Sequence, residues 1–335
     1  MKVLFITSNR LGDAVLSTGL LDHIVRENSG ARVTVACGTL PASLFAGVPG
    51  LDEVIVLKKQ SFSRHWLKLW AKTCWTRWDI VVDLRDSAVS RLLPARKRYI
   101  HSRHIGRDLH KVEQNAAVMG ISPPPAPVLW PTEVQARCAA ELIPDGGPVL
   151  AIGPTANWIG KTWPAARFIE LIKILTGPEG ILPGARVAVF AAPGEEKAAY
   201  AVLNSIPENR RLDVIAKADP GTAAAALKRC AFYVGNDSGL MHCAAASGTP
   251  TVGLFGPSWP HIYRPWGPHA HFVGTPEAFS QLTDFPGYDP KTLTRTLMTS
   301  LGVENVASSI AAFWHTYPQG RTRHAQTQKA GRHQG

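Results

Sequence analysis

Residues suited to a phosphorylated ligand gather between Ala231 and Pro257. Gly235, Asn236, Asp237, Ser238 and Gly239 form a polar turn after a short apolar run. A small-residue helical segment, Leu240 to Ser247, follows, then Gly248-Thr249-Pro250 and a second apolar run, Thr251 to Phe255. Strand, turn, helix, loop and strand in that order require parallel strands, which carry ligands at their C-terminal ends. The unpaired N–H groups of a helix start and its positive dipole end favour an anion, and Gly239 lets the backbone approach closely. His242 falls in the first helical turn, facing the same spot. A phosphate or diphosphate suits this turn, although Asp237 or Ser238 as a plain N-cap and Gly239 as a tight turn fit the same residues.

Three further residues stand at strand ends of the same kind. Asp13 lies where the loop after the first strand becomes a helix, the place for an N-cap or for a base in an α/β enzyme. Lys161 follows the first strand of the second half, as a solvated lysine or, with the Asp237 turn, as part of a diphosphate clamp. Glu195, after the next strand, reads as a first-turn helix acid or as a ribose ligand. The pair His101-x-x-His104 has metal-ligand spacing but no companion cluster, so exposed loop histidines are expected.

The elements that must position these residues alternate throughout. Strands are expected over Lys2–Thr7, Arg32–Ala36, Glu53–Leu57 and Asp79–Leu84, with helices over Asp13–Glu27 and Arg64–Trp78. The second of these helices bears Trp66, Trp70, Cys74 and Trp78 on one stripe among Lys68, Lys72 and Arg77, a pattern that packs on a sheet or lies in a membrane interface. Ala95 to Asp108 reads as a basic loop. Pro123-Pro124-Pro125 and Pro127 form a stiff segment, a helix is expected over Thr132–Leu142, and the alternation restarts with the strand Val149–Gly153. A closing helix is expected over Val303–Tyr317.

With 335 residues, 45% of them apolar, the chain can fill two cores. Five scattered cysteines without a Cys-x-x-Cys pair suggest neither a disulfide framework nor a zinc site, and a reducing cytoplasm is the expectation. No apolar run has the length of a signal or a membrane span. The net charge of +11 implies an acidic partner, and the positive residues concentrate in Arg85–Lys111 and at the C-terminus. The tail is polar and aperiodic, which predicts disorder.

Asn9-Arg10-Leu11-Gly12-Asp13, the segment Gly153–Pro164 ending in Lys161-Thr162-Trp163-Pro164, and Gly235 to His242 followed by Gly253-Leu254-Phe255-Gly256-Pro257 resemble glycosyltransferase family 9, the lipopolysaccharide heptosyltransferases. The resemblance implies an α/β GT-B fold, two Rossmann-like domains facing a central cleft. Residues 1–145 would form an acceptor-binding domain, 146–302 a nucleotide-sugar-binding domain, 303–318 a helix crossing back to the first domain, and 319–335 the basic tail. It also implies inverting transfer from ADP-heptose to the lipopolysaccharide inner core. Asp13 would be the general base, Lys161 would neutralise the leaving diphosphate, Asp237, Ser238, Gly239 and His242 would hold the phosphates, and Glu195 the ribose. Arg10, Arg85, Arg98 and His110 would meet an anionic glycolipid, lipid A with its inner-core sugars, at the cytoplasmic face of the inner membrane. With no Asp-x-Asp motif to hold a metal, Lys161 and the helix start must carry the diphosphate charge, so neither metal nor other cofactor is expected. Alternatives are transfer of another nucleotide-sugar in O-chain or capsule synthesis, a nucleotide-sugar epimerase, and a silent binding module. The basic balance also allows a nucleic-acid binder, but no such motif is present and nucleic acid is not an expected partner.

Overall fold

A computed structural model describes residues 1–58, 60 and 64–317; the basic tail 319–335 lies outside them. The first half contains β1 (Lys2–Ile6), α1 (Leu11–Glu27), β2 (Arg32–Cys37), β3 (Leu51–Val56), α2 (Arg64–Thr73), β4 (Trp78–Asp83), α3 (Ala88–Leu92), β5 (Ala95–Ile100), α4 (Lys111–Ala117) and α5 (Glu133–Leu142). The second contains β6 (Val149–Gly153), α6 (Ala165–Thr176), β7 (Arg186–Ala191), α7 (Glu196–Leu203), β8 (Arg211–Ile215), α8 (Pro220–Leu227), β9 (Phe232–Asn236), α9 (Gly239–Ala246) and β10 (Thr251–Phe255). It continues through α10 (Pro260–Tyr263), β11 (Ala270–Gly274), α11 (Phe279–Thr283) and α12 (Val303–Thr316).

All strand pairs are parallel, in the orders β3-β2-β1-β4-β5 and β11-β10-β9-β6-β7-β8. In each sheet the order reverses direction at the first strand, between β1 and β4 and between β6 and β9. Loops diverge at such a reversal and open a crevice beyond the strand ends. Asp13 and Arg85 follow the strands at the first reversal, and Lys161 and Asp237 follow those at the second.

Helices cover both faces of each sheet. α2 and α3 share a core with the outer face of the first sheet, through Leu69, Val89 and Leu93 against Leu4, Ile55 and Val81. The opposite face, with Val3, Phe5 and Val35, belongs to a core that continues through α8, α9, Tyr233 and Phe255 of the second half. The two halves are therefore joined by buried apolar surface, with α1 against α9 and the 3-10 turn Ala42–Phe45 against α8.

Several expectations change. α2 ends at Thr73 and Trp78 belongs to β4, so the four-residue stripe is split. Ala95–Ile100 is an edge strand: with one side unpaired it can carry Arg96, Lys97 and Arg98 and lacks the apolar signature of a central strand. α5, expected within the first half, packs on α8 of the second. The helix expected to cross back over 303–318 instead packs as α12 on α6 and β11, placing Val306, Ile310 and Trp314 in the core of the second half. Among the described residues no helix is long and apolar enough to cross a membrane.

Candidate active site

The N-termini of α1 and α9 meet where the two sheets face one another. A Cβ on Gly12 would stand 2.8 Å from Cδ2 of His242, and one on Gly239 would stand 2.7 Å from the Leu11 side chain. Glycine at both positions permits this approach. Asp13 is the third residue of α1, whose N-cap is Arg10, so the N-cap reading of Asp13 does not hold. Its Oδ2 lies 3.5 Å from the Ser8 hydroxyl. Two other groups sense the carboxylate: burial pushes the Lys111 ammonium pKa down while Asp13 pulls it up, and burial followed by Asp13 raises that of Tyr263. Tyr263 belongs to α10 of the second half, so Asp13 sits at the seam.

Across that seam, Lys161 Nζ donates to Asp237 Oδ2 at 2.9 Å and to the Asp237 carbonyl at 3.1 Å. The Ser258 hydroxyl donates to the same Oδ2 at 2.8 Å. Both members of the ion pair are largely shielded, with side chains 15% and 9% exposed. Asp237 was expected to hold phosphate, yet a carboxylate only accepts hydrogen bonds, and its oxygen is taken up by Lys161 and Ser258. Its geometry is that of a positioning residue for Lys161. Buried Asn236 fixes the same loop from the other side, accepting from the Trp163 N–H at 3.0 Å and donating to the Pro154 carbonyl at 2.8 Å.

Ser238 is the N-cap of α9, and Gly239 is its first residue. His242 is 4% exposed, and its pKa is pushed down to about 4, chiefly by burial, against the opposing pull of Asp237. The ring is neutral at ordinary pH. Glu195 is the N-cap residue of α7, and its Oε2 accepts from the Thr155 hydroxyl at 2.6 Å and the Ala192 N–H at 3.0 Å. It thus ties the loop after β6 to the loop after β7, beside the second reversal.

The residues expected on the acceptor side separate. Arg10 is exposed at the start of α1, and Arg85 is exposed just past β4, its guanidinium 6.0 Å from the Trp66 ring. Arg98 is exposed too, but its guanidinium folds back on the main chain, donating to the carbonyls of Ser90 at 3.2 Å, Ala95 at 3.1 Å and Leu93. That spends its guanidinium on joining α3 to β5. His110 is buried and caps α4: Nδ1 accepts from the Val112 N–H at 3.2 Å, so the proton resides on Nε2, which donates to the Arg264 carbonyl at 2.9 Å. Its ring also packs on Trp266 at 4.6 Å. His110 links the halves and has no ring nitrogen left for an acceptor.

Sequence reasoning named no role for Lys111, Tyr263, Ser258 or Asn236. Asn236 stood inside a quoted motif; the others carry no local signature, since only the fold brings them to Asp13 or Asp237. His101 and His104 gather no metal set, and among the described residues no cluster of three or more His, Cys, Asp or Glu side chains could hold an ion.

Two parallel Rossmann-like sheets meeting along their C-terminal edges constitute the GT-B architecture. The profile of glycosyltransferase family 9 (heptosyltransferase) matches residues 98–285, and the chain belongs to that family. It is 30% identical over 159 residues to lipopolysaccharide heptosyltransferase 2 of Salmonella typhimurium, covering 44% of each chain. It is 29% identical over 130 residues to lipooligosaccharide heptosyltransferase 2 of Haemophilus influenzae, covering 38% of this chain and 36% of that one. The chain thus spans less than half the length of these curated relatives. Among solved structures, Escherichia coli ADP-heptose lps heptosyltransferase II superposes with a TM-score of 0.71 at 19% identity, covering 94% of this chain and 99% of that one. E. coli heptosyltransferase WaaC with ADP gives 0.68 at 18% identity, covering 93% and 100%. The iron-containing dodecameric glycosyltransferase TibC of enterotoxigenic E. coli gives 0.56 at 16% identity, covering 94% and 76%.

Proposed function

We propose that this protein transfers a heptose, with inversion, from ADP-heptose to an inner-core sugar of lipopolysaccharide, without a metal. The observation that carries the reading is the seam itself: a carboxylate, Asp13, on the first half, opposite a shielded lysine and a helix N-terminus, Lys161 and α9, on the second. Asp13 takes the proton of the acceptor hydroxyl as its oxygen attacks the anomeric carbon from the face opposite the diphosphate. The bond from that carbon to the diphosphate breaks, and ADP leaves with the electron pair. Lys161 and the free N–H groups of α9 meet the developing negative charge, which a water-poor site makes effective. Asp237 and Ser258 hold Lys161 in place, and Glu195 accepts from the ribose hydroxyls with the carboxylate oxygen that Thr155 and Ala192 leave open. Residues of the first half would face the anionic glycolipid, with Arg10 and Arg85 as its exposed cations, at the cytoplasmic face of the inner membrane.

Calorimetric titration with ADP, UDP and GDP in EDTA tests the donor side. Selective ADP binding that weakens at least tenfold in Lys161→Ala is expected, since a charge-assisted contact is worth roughly 1.5–3 kcal/mol. No preference for ADP, or binding that requires added Mg²⁺ or iron, would overturn the metal-free heptosyl assignment.

A further inference from the structure

The outer surface of the first half carries an apolar stripe that the fold does not use. α2 buries Leu69 and Thr73 against the sheet. On its other side Leu67, Trp70 and Ala71, spaced i, i+3 and i+4, lie together on the helix surface and are exposed. Leu67 is 66% exposed, Trp70 42%, and Trp75, just beyond the helix, 92%. α3 lies beside α2 on the same face of the sheet and adds Leu92, 71% exposed. A helix packed on one side needs no apolar residues on the other, so this second stripe calls for another neighbour.

The charges around it select the neighbour. Arg64, Lys68, Lys72 and Arg77 lie in or beside α2, and no acidic residue occurs between Arg64 and Arg77. Lys72 is paired with Glu53 at 2.6 Å; Arg64, Lys68 and Arg77 are exposed. Alternation along β5 puts Arg96 on the face of Arg98, whose guanidinium reaches α3, so exposed Arg96 joins the same surface. A two-fold contact between copies would set this single-sign patch against itself. Exposed tryptophans and leucines rimmed by cations instead match the interface of an anionic bilayer, where indoles settle at headgroup depth.

We infer that α2, α3 and the adjoining edge of β5 form a docking surface for anionic phospholipid membranes, with Leu67, Trp70, Trp75 and Leu92 entering the interface and Arg64, Lys68, Arg77 and Arg96 meeting headgroups. Arg85, lying over Trp66, places this surface beside the first sheet's C-terminal edge, next to the seam. The inference concerns lipid alone and stands apart from sugar transfer, so vesicles without any sugar acceptor test it.

Flotation would compare phosphatidylcholine vesicles with vesicles carrying about one-third phosphatidylglycerol, at low and moderate salt. Binding to the anionic vesicles only is expected, weakened roughly tenfold or more in Trp70→Ser/Trp75→Ser and in Lys68→Glu/Arg96→Glu, since interfacial affinity follows buried apolar area and charge. Brominated lipid should quench the wild-type tryptophan fluorescence, and that quenching should persist in Trp259→Phe but vanish in Trp70→Ser/Trp75→Ser. Equal binding by all variants, no quenching of the wild type, or lipid-free self-association that these same substitutions abolish would overturn the proposal.

Discussion

Asp237 places a negative charge where a diphosphate is proposed to bind, and its bonds account for that. Its Oδ2 and its carbonyl both accept from the Lys161 ammonium, and the Ser258 hydroxyl fixes that same Oδ2, so the lysine is held aimed. Removing one member of such a pair leaves the other uncompensated, which costs roughly 3–5 kcal/mol when fully buried and about 2–4 at this exposure. Urea unfolding of Asp237→Ala should show that loss, and Lys161→Ala/Asp237→Ala should recover part of it; additive losses would mean the pair is not coupled. Asp13→Asn tests the proposed base separately. It keeps size and polarity but cannot take the acceptor proton, so kcat should fall about 10²- to 10⁴-fold while ADP affinity stays within a few-fold. A rate close to wild type would remove Asp13 from the chemistry.

Element by element, the sequence was most legible where burial is symmetric. The central strand Val149–Gly153, buried on both faces, reads as an apolar run and has those limits in the structure. Two of the edge strands were obscured by their exposure: β5 is written in arginine and lysine, and β11 carries Ala270, His271 and Phe272 only half-buried. Asp13, Lys161 and Asp237 could be set at strand C-terminal ends because alternation alone locates such ends; that their strands flank the order reversals comes from the sheet topology. Asp237's strut role and His110's tie between the halves were not legible, because their partners lie on other loops. The α1–α9 contact is likewise invisible in sequence, and Gly12→Val tests it. The added methyl groups would strike buried His242, which has little room to yield, and force the helix starts apart. Gly12 itself lies on α1 and meets the proposed donor half only through His242, so with α1 as the element that yields, transfer should drop at least tenfold with ADP affinity nearly unchanged. That split is the mark of misplaced reacting groups, since a shift of about 1 Å between them can cost a hundredfold in rate without weakening either partner's binding. Parallel loss of ADP binding would instead show that α1 shapes the donor site.

At the scale of the whole molecule, the halves share an apolar core and are also tied by buried imidazoles. His110 reaches Arg264 across the seam, and His242 lies under Gly12. Burial is the foremost cause of the lowered pKa at His101, His110, His242 and His271, and the effect is largest at His242, from 6.5 to about 4. Unfolding exposes these rings to water, where they bind protons below about pH 6.5 that the native protein refuses. The unfolded state therefore holds more protons between about pH 6.5 and pH 4, so stability is fully present above this window and is lost as pH falls through it. From His242 alone the loss approaches roughly 3 kcal/mol. Protonating His110 would also cost the Val112 N–H its acceptor and the start of α4 its cap, directly beside the contact with the second half. Urea midpoints measured from pH 7 down to pH 4 should fall steeply, and His242→Gln, which cannot titrate, should flatten the slope even if it lowers the midpoint at pH 7. A slope unchanged by that substitution would assign the acid sensitivity to other groups and leave His242 a packing residue alone.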